Sequence, residues 1–213
     1  KINNMKNILI HGLGQTKNSW INVLKYLNQN KIEAVCLDLF EIMQENLKDY
    51  KMMYNAFASF CHNQKGKVNL CGLSLGGILA LDFVKEYPEK VNSLILIGTP
   101  YKIPKIPFKI QTLIFKIMPK KVFNQIGCSK KEFTNLVSSM SNLNIAKNLD
   151  RINCWSLIIC GMKDNANMKS AKLLNKNIKN SELKIVSNSK HEVNIDNPKE
   201  LADIIYDFWK NNQ

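Results

Sequence analysis

Ser74 stands at the centre of Gly72-Leu73-Ser74-Leu75-Gly76, a G-x-S-x-G pentapeptide that Gly77 extends. The pentapeptide joins an apolar strand-like run over 68–71 to an apolar helix-like run over 78–84. A serine on so sharp a turn projects its hydroxyl at a helix N-terminus, where the dipole and unpaired N–H groups favour a developing negative charge. The turn is strained and its flanks must be small, a need that Gly72 and Gly76 meet. A serine hydroxyl is a poor nucleophile near pH 7 and needs a base, itself oriented by a third group.

With three histidines in the chain, the search for that base is short. His62 closes a helix far from the C-terminal edge of any strand and reads as a surface residue. His11 directly follows the first strand and precedes Gly12. His191 lies just after the last strand, in Asn188-Ser189-Lys190-His191-Glu192-Val193. Loops at the C-terminal ends of parallel strands converge on one site, so His191 is the expected base by position and by elimination. The orienting acid should follow the fifth strand, where Gly161-Met162-Lys163-Asp164 supplies Asp164.

The elements that must carry these residues alternate. Residues 7–11 form a short apolar run ending at Gly12, a buried strand. Trp20, Val23, Leu24 and Leu27 recur at helical spacing, with Asn18 or Ser19 placed as N-cap. Further strands are expected over 32–39, 68–73, 91–97, 156–160 and 183–186, and helices over 48–62, 74–87 and around 168–177. Pro88 ends the second of these helices. The last helix has the clearest start: Asn197 as cap, Pro198 at its first position and Glu200 at the capping-box position, followed by the apolar face of Leu201, Ile204, Ile205 and Phe208. This rhythm predicts an α/β fold, a mostly parallel, six-stranded, doubly wound sheet with helices on both faces. Residues 101–150, with Pro104, Pro107 and Pro119 between helix-like patches, break the rhythm and read as an insertion between core segments 1–100 and 151–213.

Composition agrees with one ordinary domain. A chain of 213 residues, 45% apolar and 22% charged, buries a full core and is neither disordered nor fibrous. No stretch approaches the roughly 18 apolar residues of a membrane span. The N-terminus lacks a small-residue cleavage site and reads as a first strand, so a cytoplasmic location is expected. The six cysteines show no C-x-x-C spacing and are expected as free, mostly buried thiols. The net charge of +13 is uneven: residues 101–131 hold eight lysines and no acid, leaving +5 for the rest. Of 30 basic residues all but Arg151 are lysine, whereas base and phosphate recognition favours arginine forks. The charge is therefore read as a solvated surface, and no nucleic-acid partner is expected. The chain has no zinc-type ligand cluster, P-loop or G-x-G-x-x-G, so neither a metal nor a nucleotide cofactor is expected.

Taken together, these segments resemble the α/β-hydrolase superfamily, specifically its compact esterase-like members. The order Ser, Asp, His along the chain is the one found there. His11-Gly12-Leu13-Gly14 resembles the family's oxyanion loop, and Tyr87-Pro88-Glu89-Lys90-Val91 resembles its link from elbow helix to next strand. The resemblance covers nearly the whole chain apart from 101–150. It implies Ser74 as nucleophile, His191 as general base and then acid, and Asp164 as the group orienting it. It also implies an oxyanion hole made by the backbone N–H groups of Leu13 and Leu75. His11 then shapes the loop without transferring protons. Two departures stand out. After the second strand the chain reads Asp38-Leu39-Phe40-Glu41-Ile42 where many relatives have a glycine-rich loop, and before the histidine it reads Ser189-Lys190 where relatives often have Gly-x-Gly.

The same resemblance makes 101–150 a cap over the site. Ile110, Leu113, Ile114 and Ile117 form an apolar stripe among Lys102, Lys105, Lys109, Lys116, Lys120 and Lys121. The plainer reading is a helix packed on the body with its lysines in water. The sharper one is a lid facing an acyl chain, with a basic rim for an acidic carrier protein or an anionic lipid surface. The expected activity is cofactor-free hydrolysis of a carboxylic ester or thioester through an acyl-Ser74 intermediate. The alternatives are a C–C bond hydrolase of the same fold and a non-catalytic ligand-binding relative.

Overall fold

In the computed structural model of the chain, the described residues are 5–43, 49–103, 123 and 127–212. Six strands form one sheet: β1 (Lys6–Ile10), β2 (Val35–Leu37), β3 (Val68–Leu73), β4 (Val91–Ile97), β5 (Trp155–Gly161) and β6 (Ser181–Val186). Their spatial order is β2-β1-β3-β4-β5-β6, and every pairing is parallel. The chain thus starts near the middle, runs outward to β2, then returns to β3 and crosses to the other edge. This winding puts helices on both faces.

Alternation along each strand decides which helix covers which face. Ile8, Leu70, Leu94, Leu96 and Ile158 point to one side, where they pack with α2 (Tyr50–His62), α3 (Leu75–Glu86), α4 (Lys130–Met140) and α5 (Asn165–Asn177). Leu9, Cys71, Ile95, Ile97, Leu157 and Ile159 point to the other side, against α1 (Ile21–Gln29) and α7 (Pro198–Asn211). A four-residue helix, α6 (Val193–Asp196), precedes α7. β3 is buried at all six positions and α3 at nine of its twelve. The element carrying the pentapeptide therefore lies at the centre of both layers, where fully burying each large apolar side chain is worth about 1.5–3 kcal/mol.

The expected strands and helices are present, with shifted ends. β2 keeps only Val35–Leu37 of the run over 32–39. The first helical turn begins earlier than Asn18: a 3-10 turn at Lys17–Trp20 is capped by Thr16, whose hydroxyl accepts from the Asn18 N–H. Asn197 caps α7 as expected, and the Glu200 carboxylate accepts from the Asn197 amide at 2.6 Å and also from the Ser187 hydroxyl at 2.6 Å. The second bond ties α7 to the end of β6. All six cysteines are free.

Within residues 101–150, the stripe Ile110, Leu113, Ile114 and Ile117 and Lys105, Lys109, Lys116, Lys120 and Lys121 lie outside the described residues. α4 is described, and starts on a capping box: Ser129 Oγ accepts from the Glu132 N–H, and the Glu132 carboxylate accepts from the Ser129 N–H. Its Ser139 hydroxyl accepts from the Tyr50 N–H at 2.8 Å, giving the first turn of α2 a partner. Lys85 of α3 donates to Ile145 O at 3.4 Å, so α3 also holds the segment that follows α4. Among the described residues no helix is long and apolar enough to cross a membrane.

Candidate active site

Ser74 follows β3 directly and adopts φ 52°, ψ −109°, a conformation L-residues rarely hold. Such strain costs on the order of 1–3 kcal/mol. The Ser74 N–H donates to Ile97 O at 2.9 Å and Ser74 O accepts from the Ile78 N–H at 3.0 Å. At a net value of about 0.5–1.5 kcal/mol each, these two bonds roughly offset the strain, and the buried layers around the elbow provide the surplus. Close backbone approach explains the glycines. A Cβ on Gly72 would lie 2.3 Å from Gly76 O, and one on Gly76 would lie 2.4 Å from Ile10 O. Ser74 Oγ makes no capping bond with α3, so the hydroxyl is free for other partners.

The loop after β1 lies against this serine: a Cβ on Gly12 would sit 3.5 Å from Ser74 Cβ. Among the described residues, the N–H groups of Leu13 and Leu75 donate to no protein acceptor. For Leu75 this follows from its place as the first residue of α3. His11 braces the loop from beneath. It is fully buried, its Nδ1 lies 2.9 Å from Gly12 O, and its Nε2 accepts from the Leu39 N–H at 3.0 Å. This pattern requires the neutral ring with its proton on Nδ1. Burial also pushes the His11 pKa below the usual histidine value, against the raising effects of the Gly12 carbonyl and Asp38. With both nitrogens engaged, His11 holds structure. The departure after β2 now has a reason: Asp38 accepts from the N–H groups of Lys17, Phe40 and Glu41, organising the loop whose Leu39 meets His11.

Asp164 and His191 meet across the ends of β5 and β6. Asp164 is the N-cap of α5 and 5% exposed, and its Oδ2 lies 2.9 Å from His191 Nδ1. The histidine side chain remains 41% exposed, open to the solvent side of the sheet edge. A Cβ on Gly161 would lie 2.1 Å from Lys190 O, so the close approach is made by Gly161 and not by glycines beside the histidine. Asn188 takes the left-handed turn there, at φ 51°. Gly98, at the end of β4, lies against the pair of Asp164 and His191. Its own φ is +52°, and an added Cβ would lie 3.0 Å from His191 Nδ1. Among the described residues no hydrogen bond joins Ser74 to His191. His62 is exposed, its ring set edge-on to Tyr87 and Phe83 at the far side of α3.

Gly98→Ala therefore has two costs: a left-handed conformation for a residue with a Cβ, and displacement of the imidazole. We expect a loss of about 1–2 kcal/mol, a Tm drop of about 2–8 °C for a chain of this size. Ester turnover should fall by about tenfold or more, as misplacement near 1 Å costs heavily. Thermal melts and steady-state rates check both, and unchanged turnover would remove the glycine from the site.

Three residues that local pattern did not reveal complete the surroundings. Asn167 donates to both carboxylate oxygens of Asp164. Gln15 and Asn194, both buried, exchange amide hydrogen bonds at 3.3 and 3.4 Å, while the Gly12 N–H reaches Gln15 Oε1 and Gln15 Nε2 reaches Glu192 at 2.8 Å. The loop after β1 is thereby fastened to the loop of His191. Partners 177 and 179 residues away leave no mark in local spacing. Beyond Leu13 lies an apolar cluster of Phe123, Cys128 and Phe133, packed with Leu13, Phe40 and Val137.

A family profile for serine aminopeptidases of type S33 matches residues 5–146, about two thirds of the sequence. The chain belongs to this family of α/β-hydrolases. The profile takes in the pentapeptide and ends before Asp164 and His191, so those two residues stand on geometry. The rat monoacylglycerol lipase ABHD6 (Rattus norvegicus) is 25% identical to this α/β-hydrolase over 250 residues, covering 94% of the chain and 74% of the lipase. An α/β-hydrolase domain-containing protein of Arabidopsis thaliana, VTE7, is 28% identical over 173 residues, 65% of this chain and 52% of that one. Among solved structures, a bromoperoxidase from Bacillus anthracis superposes with a TM-score of 0.80 at 18% identity, covering 97% of this chain and 92% of that one. A thermophilic esterase from Thermogutta terrifontis gives 0.75 at 16% identity, covering 97% and 90%. At such identities the structural likeness speaks for the fold alone.

Proposed function

We propose that this α/β-hydrolase cleaves a carboxylic ester or thioester through an acyl-Ser74 intermediate. The observation that carries the reading is the Asp164–His191 hydrogen bond of 2.9 Å, set on the same sheet edge as a serine in a strained elbow. With its Nδ1 proton shared with Asp164, the imidazole presents a bare Nε2 as base. Ser74 Oγ attacks the acyl carbon as His191 Nε2 takes its proton. The N–H groups of Leu13 and Leu75 receive the oxyanion, each such donor being worth about 2.7–4 kcal/mol in the transition state. The tetrahedral species collapses, and the leaving alkoxide or thiolate takes the proton back from His191. Water then attacks the acyl-serine and gives its proton to His191; collapse releases the acid as Ser74 Oγ takes that proton back from His191. On binding substrate, His191 Nε2 and Ser74 Oγ come within hydrogen-bond reach, as catalytic contacts do in a Michaelis complex.

An apolar acyl group suits the wall of Leu13, Phe40, Phe133 and Val137 beside the oxyanion loop. The relatives named monoacylglycerol lipases favour the same chemistry. We place the reaction in the cytoplasm, which the six free thiols favour. A fluorophosphonate probe should label the protein at Ser74, and p-nitrophenyl esters of increasing chain length should show kcat/KM rising with chain length. Failure to label, with no turnover at any length, defeats the reading.

The lysine-rich segment is tested by salt. We propose a basic rim toward an acidic carrier protein or anionic lipid surface, motivated by the eight lysines and no acid over 101–131. Replacing Lys102, Lys105, Lys109 and Lys116 with Gln should leave a small neutral ester within a few-fold of wild type. The same variant should lose activity on carrier-bound or vesicle-bound acyl substrate, most at low salt, where the Debye length is about 30 Å at 0.01 M against about 8 Å at 0.15 M. Equal rates for both proteins at every ionic strength leave the lysines as solvated surface.

A further inference from the structure

We propose that Asn167 is a positioning residue of the acid–base pair, locking the Asp164 carboxylate so that it can select the tautomer of His191. The inference rests on the reading of Asp164 and His191 given above and extends it to a residue outside the Ser, Asp, His set. Asn167 Nδ2 lies 3.1 Å from Asp164 Oδ1 and 3.0 Å from Asp164 Oδ2, so the amide straddles both carboxylate oxygens. The backbone N–H of Asn167 adds a third bond, to Oδ1 at 3.2 Å. The same Nδ2 stands 3.2 Å from His191 Nδ1, which is itself 2.9 Å from Oδ2. Three polar groups thus close a triangle, and their chemistry allows one arrangement.

Were the amide turned over, its oxygen would face two carboxylate oxygens, a repulsive contact beside an ionised acid. The NH₂ group therefore faces Asp164. That nitrogen has donors and no usable lone pair, so it offers nothing to the Nδ1 proton of His191. Asp164 Oδ2 is left as the acceptor for that proton, and the bare nitrogen of the ring is Nε2. The terminal torsion of an aspartate is broad, and an N-cap bond to one oxygen leaves the carboxylate plane free to tilt. The second and third contacts remove that freedom. Asn167 is itself held by its place on α5, three residues after the cap, where the helix backbone fixes the direction of its side chain. Its cost or benefit is therefore felt at the acid, two bonds removed from the substrate.

The test uses Asn167→Leu, which keeps the volume and removes the donors, with Asn167→Ala as a second variant that asks nothing of the local packing. Two readouts are taken: steady-state kinetics on a short nitrophenyl ester, and the far-downfield proton resonance of a histidine hydrogen-bonded to a carboxylate, assigned by its loss in His191→Ala. We expect kcat to fall by about tenfold to a hundredfold, the range for losing an outer hydrogen-bonding partner, with KM within about twofold. The resonance should shift upfield or vanish while the melting temperature holds. A role in helix stability alone would lower the melting temperature and leave the resonance in place. Variants whose kcat stays within about twofold of wild type and whose resonance is unmoved overturn the proposal. Because the resonance reports the pair directly, a protein that hydrolyses no ester yet loses it in Asn167→Leu refutes the hydrolase reading and keeps Asn167 in its role.

Discussion

Ser74→Ala is expected to abolish fluorophosphonate labelling and lower ester turnover by at least about three orders of magnitude, because residues of a triad act as a unit. The fold should survive. The strained backbone at position 74 is held by its N–H bond to the Ile97 carbonyl and by the close backbone approach at Gly72 and Gly76, which an alanine leaves in place. Ser74 Oγ makes no capping bond, so its removal leaves no orphaned donor in α3. Melting temperatures of wild type and variant should agree within about 2–4 °C, the shift that a change near 1 kcal/mol produces in a chain of this size. The turnover expected to remain after the loss is that of the proposed oxyanion N–H donors and of binding, which does not depend on the serine. Labelling and turnover equal to wild type in Ser74→Ala would place the nucleophile elsewhere.

The second large effect separates the histidines. His191→Ala should cripple turnover about as far as Ser74→Ala, since without a base the serine hydroxyl is not activated near pH 7. Asp164→Asn should cost less than losing the base, because the acid orients and stabilises the imidazolium and does not take the proton. It replaces the carboxylate facing His191 Nδ1 with a neutral amide, whose NH₂ group can turn toward the ring and favour the other tautomer, so the loss should still exceed that of Asn167→Leu. His62→Ala should be near neutral in rate, since the ring lies against Tyr87 and Phe83 on the other side of α3. The ordering His191→Ala, Asp164→Asn, Asn167→Leu, His62→Ala, from most to least severe, is measured as kcat/KM on one ester. A dead His62 variant beside an active His191 variant inverts the assignment.

How far the sequence carried the reading depends on whether a signal is local. The pentapeptide, the apolar strand before it and the apolar helix after it lie within 19 residues, 68–86, and each constrains the next, so β3, the elbow and α3 were legible together. The cap of α7 was legible for the same reason, as Asn197, Pro198 and Glu200 act within one turn. Asp164 and His191 could be chosen from the sequence because parallel strands send their following loops to one edge, which limits the candidates to residues just past a strand. Other features needed the tertiary structure. The length of β2 was set by its pairing to β1 at three positions and not by the apolar run over 32–39. Thr16, and neither Asn18 nor Ser19, caps the first turn because the chain leaves the loop after β1 and turns helical at Lys17, earlier than hydrophobic spacing suggests. The need for glycine at 98 comes from its positive φ and from a histidine 93 positions later lying where a Cβ would go, and the need at 161 from the Lys190 carbonyl. Gln15 and Asn194 find each other across almost the whole chain, and Asn167 becomes informative only once His191 is beside Asp164. Spacing records what a segment does to itself. Contacts between loops at the end of a sheet are decided by the winding of all six strands, and that order appears in no local pattern.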